Sequence, residues 1–351
     1  MRLRRRVPII LGVLLVAAAV ALVVVLRKHA PPEAARLLPG ADGFVYVNLQ
    51  WMRRASLVGG LPAIVHDPEY EQFIQATGFD FERDLEQAAM AIHYPSAPSP
   101  TPSEDARFSY VFVAKIDGER LGEYLKKASG SIDDYRDLEI YNIPLQGRTL
   151  RVAIIGVDTV AVSNHPDPMV IRGIVDRSRK LASPFGGPAL LRQYYKEVPF
   201  ASLAWAVFRI QPAMDLSGPT GLSFLFSKPA VAVVSLRFLR AVHLRAVGFT
   251  ESEDEARHIS DQLGAFLNAF RTAQNTAPPS VSDADVKAVL DSVKVQQQRT
   301  LAILTATVPP GFLRKLVAEG PAAATAAPQA PNPLPSPAPN PEEGKPKHKR
   351  R

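Results

Sequence analysis

Residues 230–249 read AVAVVSLRFLRAVHLRAVGF, and this stretch contains the pattern that decides the fold. Apolar side chains recur through AVAVVSLRF (230–238) and again through VHLRAVGF (242–249), with a short connection between the two segments. Such segments predict two β-strands. Strands joined so closely pair antiparallel, so we expect a sheet built from antiparallel hairpins.

Further segments of the same kind flank this hairpin. Before it, SLAWAVFRI (202–210) predicts a strand, and after it KVQQQ (294–298) and TLAILTATV (300–308) predict two more. A closing helix is expected at 311–319, after two prolines. The intervening helix should begin at a capping box formed by Thr250 and Glu253. Its apolar stripe follows a 3.6-residue period and consists of Ala256, Ile259, Leu263, Phe266, Leu267 and Phe270.

The earlier part of the chain, residues 36–199, shows a similar order of helices and strands to the part from 200 to 319 described above. Helices are expected around 70–74, 121–128, 169–181 and 188–197. The expected strands are GFVYVNL (43–49), AAMAIHY (88–94), FSYVFVAKI (108–116), LEIYNI (138–143), LRVAIIG (150–156) and TVAVSN (159–164).

The two halves, 36–199 and 200–319, share this order although their sequence identity is low. We interpret it as a tandem duplication of a β-β-β-α-β-β-α unit, with chance agreement of common patterns as the alternative. The predicted fold class is α+β, with largely antiparallel sheets and helices on one face.

Residues 7–26 read VPIILGVLLVAAAVALVVVL and contain no charged side chain. A helix of about 20 apolar residues spans the hydrocarbon layer of a bilayer, so we predict a transmembrane anchor, followed by a linker at 27–35. A cleaved signal peptide is the alternative, but the run is long and its Ala-x-Ala patterns lie inside it.

Four arginines lie in residues 1–6, before the apolar segment, whereas Arg27 and Lys28 lie after it. The more basic flank stays in the cytoplasm, which predicts a single-pass protein of the inner membrane with an extracytoplasmic body. The inverted orientation is the alternative.

The net charge of +7 is concentrated at the two ends of the chain. Between residues 31 and 319 the positive and negative charges nearly balance, which disfavours nucleic-acid binding. Residues 320–351 form a proline-rich segment ending in KPKHKRR, for which we predict a disordered, extended tail. Its basic tip could contact an envelope protein or an anionic cell-wall partner.

No motif for catalysis, cofactor binding or metal binding stands out, so we assign no site residues and no cofactor. The chain has no cysteine, which excludes disulfides and thiolate chemistry. No glycine-rich phosphate loop or nucleophile elbow is present. No two histidines lie three or four residues apart, and His93 and His243 fall in predicted strands, where a hydrogen-bonded structural role is expected.

The acidic residues give no catalytic pair either. Asp80, Glu82, Asp84 and Glu86 alternate as in a calcium loop, but Leu85 stands where such a loop requires glycine. Helix capping is the preferred interpretation of this run. A pair of carboxylates that are distant in sequence would escape detection.

The opening AARLLPGADGFVYVNL (34–49) resembles the start of uncharacterised bacterial envelope proteins of the domain-of-unknown-function type. These proteins have an N-terminal anchor and a weakly duplicated α+β body. GFDFERDLE (78–86) and DTVAVSN (158–164) fit the same resemblance, which covers roughly residues 35–319. The group has no established catalytic residues, so the resemblance supports the architecture and leaves the function open.

Two classes of function remain. The first is a non-catalytic, membrane-anchored binding or scaffold protein of the cell envelope, which the proline-rich tail favours. The second is an extracytoplasmic hydrolase that uses Asp and Glu residues, and it requires a pocket where acids converge. A carrier of an apolar ligand is a further alternative, and it requires an apolar cavity between sheet and helices.

Overall fold

The hairpin expected at 230–249 is present and belongs to one sheet of twelve strands. The computed structural model describes residues 30–54, 66–94, 107–145, 147–179, 186–211, 225–276, 284–309 and 311–312. The strands are β1 (Gly43–Asn48), β2 (Leu85–His93), β3 (Arg107–Ala114), β4 (Ser131–Tyr135), β5 (Leu138–Leu145), β6 (Arg148–Ile154), β7 (Thr159–Ser163), β8 (Ser202–Ile210), β9 (Ala230–Phe238), β10 (Val242–Phe249), β11 (Lys294–Gln298) and β12 (Leu301–Val308).

The helices alternate with these strands and are mostly short, apart from α8. They are α1 (Glu33–Leu37), α2 (Leu49–Arg54), α3 (Pro68–Thr77), α4 (Phe81–Asp84), α5 (Gly118–Ala128), α6 (Met169–Arg179), α7 (Ala189–Tyr194), α8 (Glu253–Thr276) and α9 (Ala284–Ser292). The protein is therefore an α+β protein with a large antiparallel sheet, as the sequence predicted.

The strands lie in the order β11-β12-β10-β9-β8-β1-β2-β3-β7-β6-β5-β4. Every neighbouring pair is antiparallel. The segments 36–199 and 200–319 meet where β1 pairs with β8, from Gly43 opposite Phe208 to Val47 opposite Ala204. One continuous sheet therefore runs through both segments.

Both faces of this sheet are covered, each by different helices. We call face A the face on which Phe44 and Trp205 lie, and face B the opposite face. On face A, buried residues of α1, α6 and α7 pack against the middle of the sheet in the largest core cluster, for example Ile174 and Leu191. Each such fully buried side chain contributes about 1.5–3 kcal/mol through apolar burial.

The prediction that helices lie on one face is wrong. Ile140 and Tyr141 are adjacent in β5, so their side chains point to opposite faces. Ile140 packs in the cluster that contains α6, whereas Tyr141 packs against Leu121 and Leu125 of α5. The physical reason is that adjacent strand residues are both apolar, so the sheet must bury both faces.

Two details of α8 also differ from the expectation. The hydroxyl of Ser252 accepts the backbone N–H of Glu255, so Ser252 caps the helix instead of Thr250. The Thr250 hydroxyl instead donates to backbone carbonyls, including that of Thr300. The apolar stripe is buried only at its start, where Ile259 packs against β8, β9 and β12. Further along, Phe266 is 52% exposed.

Several predicted segments lie outside the described residues. These are the anchor at 7–26, the tail at 320–351 and all but the first two positions of the closing helix at 311–319. In the parts of the chain that the structure describes, no helix is both long enough and apolar enough to span a membrane.

Candidate ligand-binding pocket

The antiparallel register places two rows of polar side chains side by side at one end of face A. In the first row, His243 of β10 lies opposite Arg237 of β9 and Thr307 of β12. Residues directly opposite each other in antiparallel strands have Cβ atoms about 5 Å apart. These three side chains, from three different strands, are therefore held next to one another by the backbone.

The second row lies two residues further along the same strands. Arg245 of β10 faces Ser235 of β9 and Thr305 of β12, and Thr305 faces Lys294 of the edge strand β11. Residues two apart in a strand point to the same face. Both rows therefore line one surface, beyond the part of face A that α6 and α7 bury.

A cavity of about 310 Å³ opens on this surface, and we call it the basic pocket. It includes three permanently charged side chains, and no acidic side chain is among its described lining residues. The lining residues are Pro199, Ser235, Arg237, His243, Leu244, Arg245, Ser292, Lys294, Thr305, Ala306 and Thr307. The pocket is therefore a local concentration of positive charge in a body whose total charge is close to balanced.

Some of the polar groups in the basic pocket are already engaged. Nη1 of Arg245 donates to the Glu197 carbonyl over a long 3.4 Å. Nδ1 of His243 lies 3.3 Å from the Thr307 hydroxyl. The Ser292 hydroxyl accepts from the backbone N–H of Thr307 at 2.9 Å.

Three groups remain without a partner among the described residues: the Arg237 guanidinium, the Lys294 ammonium and the Thr305 hydroxyl. Like charges held close together repel each other, and partly buried charges are screened less by salt than exposed ones. An anion in the pocket would relieve that repulsion and supply acceptors to donors that lack them. The arrangement is thus suited to binding an anionic group.

Sequence reasoning missed the basic pocket because its residues are scattered over 199–307. The available signal was the spacing of Arg237, His243 and Arg245 around the short connection between β9 and β10. Once that connection fixes the hairpin register, Arg237 must lie opposite His243. The contributions of β11 and β12 depend on a later part of the chain, and no local pattern indicates them.

His93 has a structural role, as expected. Its Nε2 lies 3.2 Å from the hydroxyl of Ser109, which is 3.0 Å from the hydroxyl of Ser163. Burial, together with the charge of the neighbouring His165, lowers the pKa of His93 to about 4. Ser109 and Ser163 are almost completely buried, so neither hydroxyl is positioned to attack a substrate.

Asp80, at the start of the acidic run at 80–86, caps a helix, which confirms the preferred interpretation. The Asp80 carboxylate accepts the backbone N–H groups of Glu82 and Arg83 at the start of α4. Asp84 accepts a hydrogen bond from Arg83 at 2.7 Å, which lowers the pKa of the Asp84 carboxyl.

A different cavity, of about 460 Å³, lies beside α1 and has two acidic residues in its wall. Glu33 and Asp158 both line it, and both residues are largely exposed to solvent. The Thr159 hydroxyl donates to Asp158 at 2.7 Å. Among the described cavities this one is the best candidate for the hydrolase alternative, because it contains two carboxylates. Their exposure means that the site does little to desolvate them, so it lacks one usual means of tuning a catalytic acid.

Comparison with known proteins adds little to this description. No family model matches the chain, and no curated protein matches it, in line with a sequence that resembles no characterised protein. Three crystal forms of TP0453 are structurally similar. Form III has a TM-score of 0.42 and 8% identity over 82% of this chain and 99% of that chain. Form IV has a TM-score of 0.41 and 9% identity over 82% of this chain and 97% of that chain. Form I has a TM-score of 0.40 and 9% identity over 83% of this chain and 98% of that chain. At these TM-scores a shared fold is not established.

Proposed function

We propose that this protein is a non-catalytic binding or scaffold protein of the cell envelope, held at the inner membrane with its body outside the cytoplasm. The observation that carries the proposal is the basic pocket, where several strands bring charged and hydroxyl groups together in one cavity. Small-molecule sites are typically concave, with a few convergent polar groups. The groups gathered here can hold an anionic ligand or the anionic part of a larger partner.

The membrane attachment rests on residues 7–26 and on the arginines that precede them. The described body begins a few residues after this segment, with α1 already packed in the core at Ala34 and Leu37. A short connection of this kind would keep the body close to the membrane surface. The basic pocket would then meet ligands at or near that surface.

We also propose that the body arose by duplication, with β1 and β8 as equivalent first strands. From β1 outward the sheet order is β1-β2-β3-β7-β6, and from β8 outward it is β8-β9-β10-β12-β11. In both halves the hairpin formed by the last two strands therefore lies next to the third strand in the sheet. The first half then continues with β5 and β4, which have no counterpart in the second.

We propose that the tail at 320–351 binds a partner at a distance from the body. Its prolines favour an extended chain of about 3.1 Å per residue, and its last seven residues contain five basic side chains. Such a tip has the charge to reach an anionic cell-wall polymer or an acidic surface of an envelope protein.

The test is a crosslinked pull-down from detergent-solubilised membranes with three forms of the chain. These are the full-length protein, a form that ends after Gly320 and a form that ends after Gly344. The last form keeps the proline-rich segment and lacks only the basic tip. The proposal expects specific partners with the full-length protein, some of which are lost in both shortened forms. If no form retains a specific partner, the scaffold function is wrong.

Topology has a separate test. A phosphatase fused after Glu319 should be active, and a green fluorescent protein fused at the same point should be dark. The opposite pair of results would place the body in the cytoplasm and overturn the proposed location.

A further inference from the structure

We propose that the basic pocket is a site for a phosphomonoester group, and this inference rests on the proposed binding function. The groups that would hold the phosphate are Arg237, Arg245, Lys294 and Thr305, with His243 beside them. The phosphate could be carried by a small soluble molecule or by a lipid headgroup, because both present the same chemistry to the pocket.

Charge is the first argument. The basic pocket holds three permanent positive charges and no acidic side chain among its described lining residues. A phosphomonoester carries about −1.5 to −2 at neutral pH, whereas a carboxylate or a phosphodiester carries a single negative charge. A dianion therefore offsets more of the repulsion among the three cations than a monoanion does.

Hydrogen bonding is the second argument. A terminal phosphate presents three acceptor oxygens, and arginine binds two of them side by side through its planar fork. Arg237 and Arg245 belong to adjacent rows of the same face, so their side chains can approach one anion from two sides. Lys294 on β11 and Thr305 on β12 lie opposite each other and supply further donors, and the Thr305 hydroxyl has no partner in the described parts of the chain.

The size and make-up of the cavity support the same ligand. A volume of about 310 Å³ accommodates a phosphate with a small attached group and is far too small for a nucleic-acid duplex. Leu244 and Ala306 also line it, but they alternate with the polar residues along β10 and β12, so they contribute backbone and their side chains point to face B. Pro199 adds an apolar side chain from outside the strands.

The experiment measures the thermal unfolding midpoint of the full-length protein in a nonionic detergent at low salt. The probes are inorganic phosphate and sodium acetate, added at matched ionic strength. Phosphate should raise Tm progressively with the logarithm of its concentration, by roughly 4 to 8 °C at about one hundred times Kd. Acetate should give a much smaller rise.

The variants Arg245→Gln and Lys294→Gln should each weaken phosphate binding roughly tenfold or more, because each removes a charge-assisted contact. Lys294 is exposed on an edge strand, so its replacement should leave the fold intact. The control is Lys127→Gln, which removes the same charge from an exposed position of α5 and should leave phosphate binding unchanged.

Micelles doped with phosphatidic acid, compared with glycerol 3-phosphate in solution, distinguish the two sources of phosphate. A response that depends on Arg245 and Lys294 supports the proposal with either source. Equal responses to phosphate and acetate would overturn the phosphate assignment, and so would a phosphate response that survives both substitutions. The proposed function is judged separately, because the pull-down of partners does not depend on added phosphate.

Discussion

His93 illustrates how one buried side chain can make stability depend on pH. Its imidazole is neutral in the folded protein because burial lowers its pKa to about 4, whereas an unfolded histidine titrates near 6.5. As the pH falls from 6.5 towards 4, His93 becomes protonated in the unfolded chain but stays neutral in the folded protein. His93 therefore contributes its full stabilisation above pH 6.5, and this contribution is lost as the pH falls from 6.5 to 4.

We expect the free energy of unfolding to fall by about 1–2 kcal/mol between pH 7 and pH 5, a figure reduced for the partial exposure of the ring. His93→Gln should flatten this dependence, since glutamine keeps a polar partner for Ser109 and does not titrate. Urea unfolding curves at the two pH values measure the effect. An unchanged slope in the variant would show that another group is responsible.

His66 provides an internal contrast at the same scale. Its ring nitrogens lie 3.1 Å from Glu82 and 2.9 Å from Glu71, and these hydrogen bonds raise its pKa. A raised pKa contributes stability that is present below 6.5 and lost as the pH rises through the folded value. The two histidines thus act in opposite directions, and of the two it is His93 that contributes to a loss of stability on acidification.

Ser252 governs the start of the longest described helix, α8. Its hydroxyl accepts the backbone N–H of Glu255 at 3.3 Å, and that donor has no partner within the helix. Ser252→Ala should therefore lower the free energy of unfolding by about 1 kcal/mol. Ser252→Asn should retain most of the stability, because asparagine caps as well as serine. Urea unfolding at pH 7 measures both, and an equal loss in the two variants would rule out the capping role.

The elements that the sequence predicted well are those with a strong apolar pattern. The strand expected at 202–210 has the same limits as β8, and the hairpin at 230–249 gives β9 and β10. By contrast β4, with the sequence SIDDY, was missed because it is an edge strand with little apolar content. Its place is fixed by pairing with β5 and not by burial of its own side chains.

The sequence alone did not identify the N-terminal cap of α8 or the basic pocket, and the reasons are related. Thr250 and Ser252 both have an acidic residue three positions later, so the sequence permits either as the cap. The choice depends on Thr300, whose carbonyl accepts the Thr250 hydroxyl from a distant turn. The basic pocket likewise depends on strand register between distant segments. Local patterns determine which elements form, and tertiary pairing determines which side chains meet.

The whole molecule is organised around the contact between β1 and β8. Phe44 of β1 is completely buried in the cluster that also contains Trp205 and Val207 of β8. One sheet and one shared cluster therefore connect 36–199 with 200–319. We expect the two segments to unfold together, as a single cooperative unit, because neither can expose this surface without a large loss of apolar burial.

Phe44→Ala tests this cooperativity at the junction. Removing a fully buried phenylalanine should lower the free energy of unfolding by about 3–5 kcal/mol. In a cooperative unit, hydrogen-exchange protection should fall by the same amount in β6 and in β12, on opposite sides of the junction. Leu145→Ala is the matched control, since Leu145 is 52% exposed and its loss should change protection little. A drop confined to β6 would mean that the two segments are separate domains that share a sheet edge, and the pocket in the second segment would then be stable without the first.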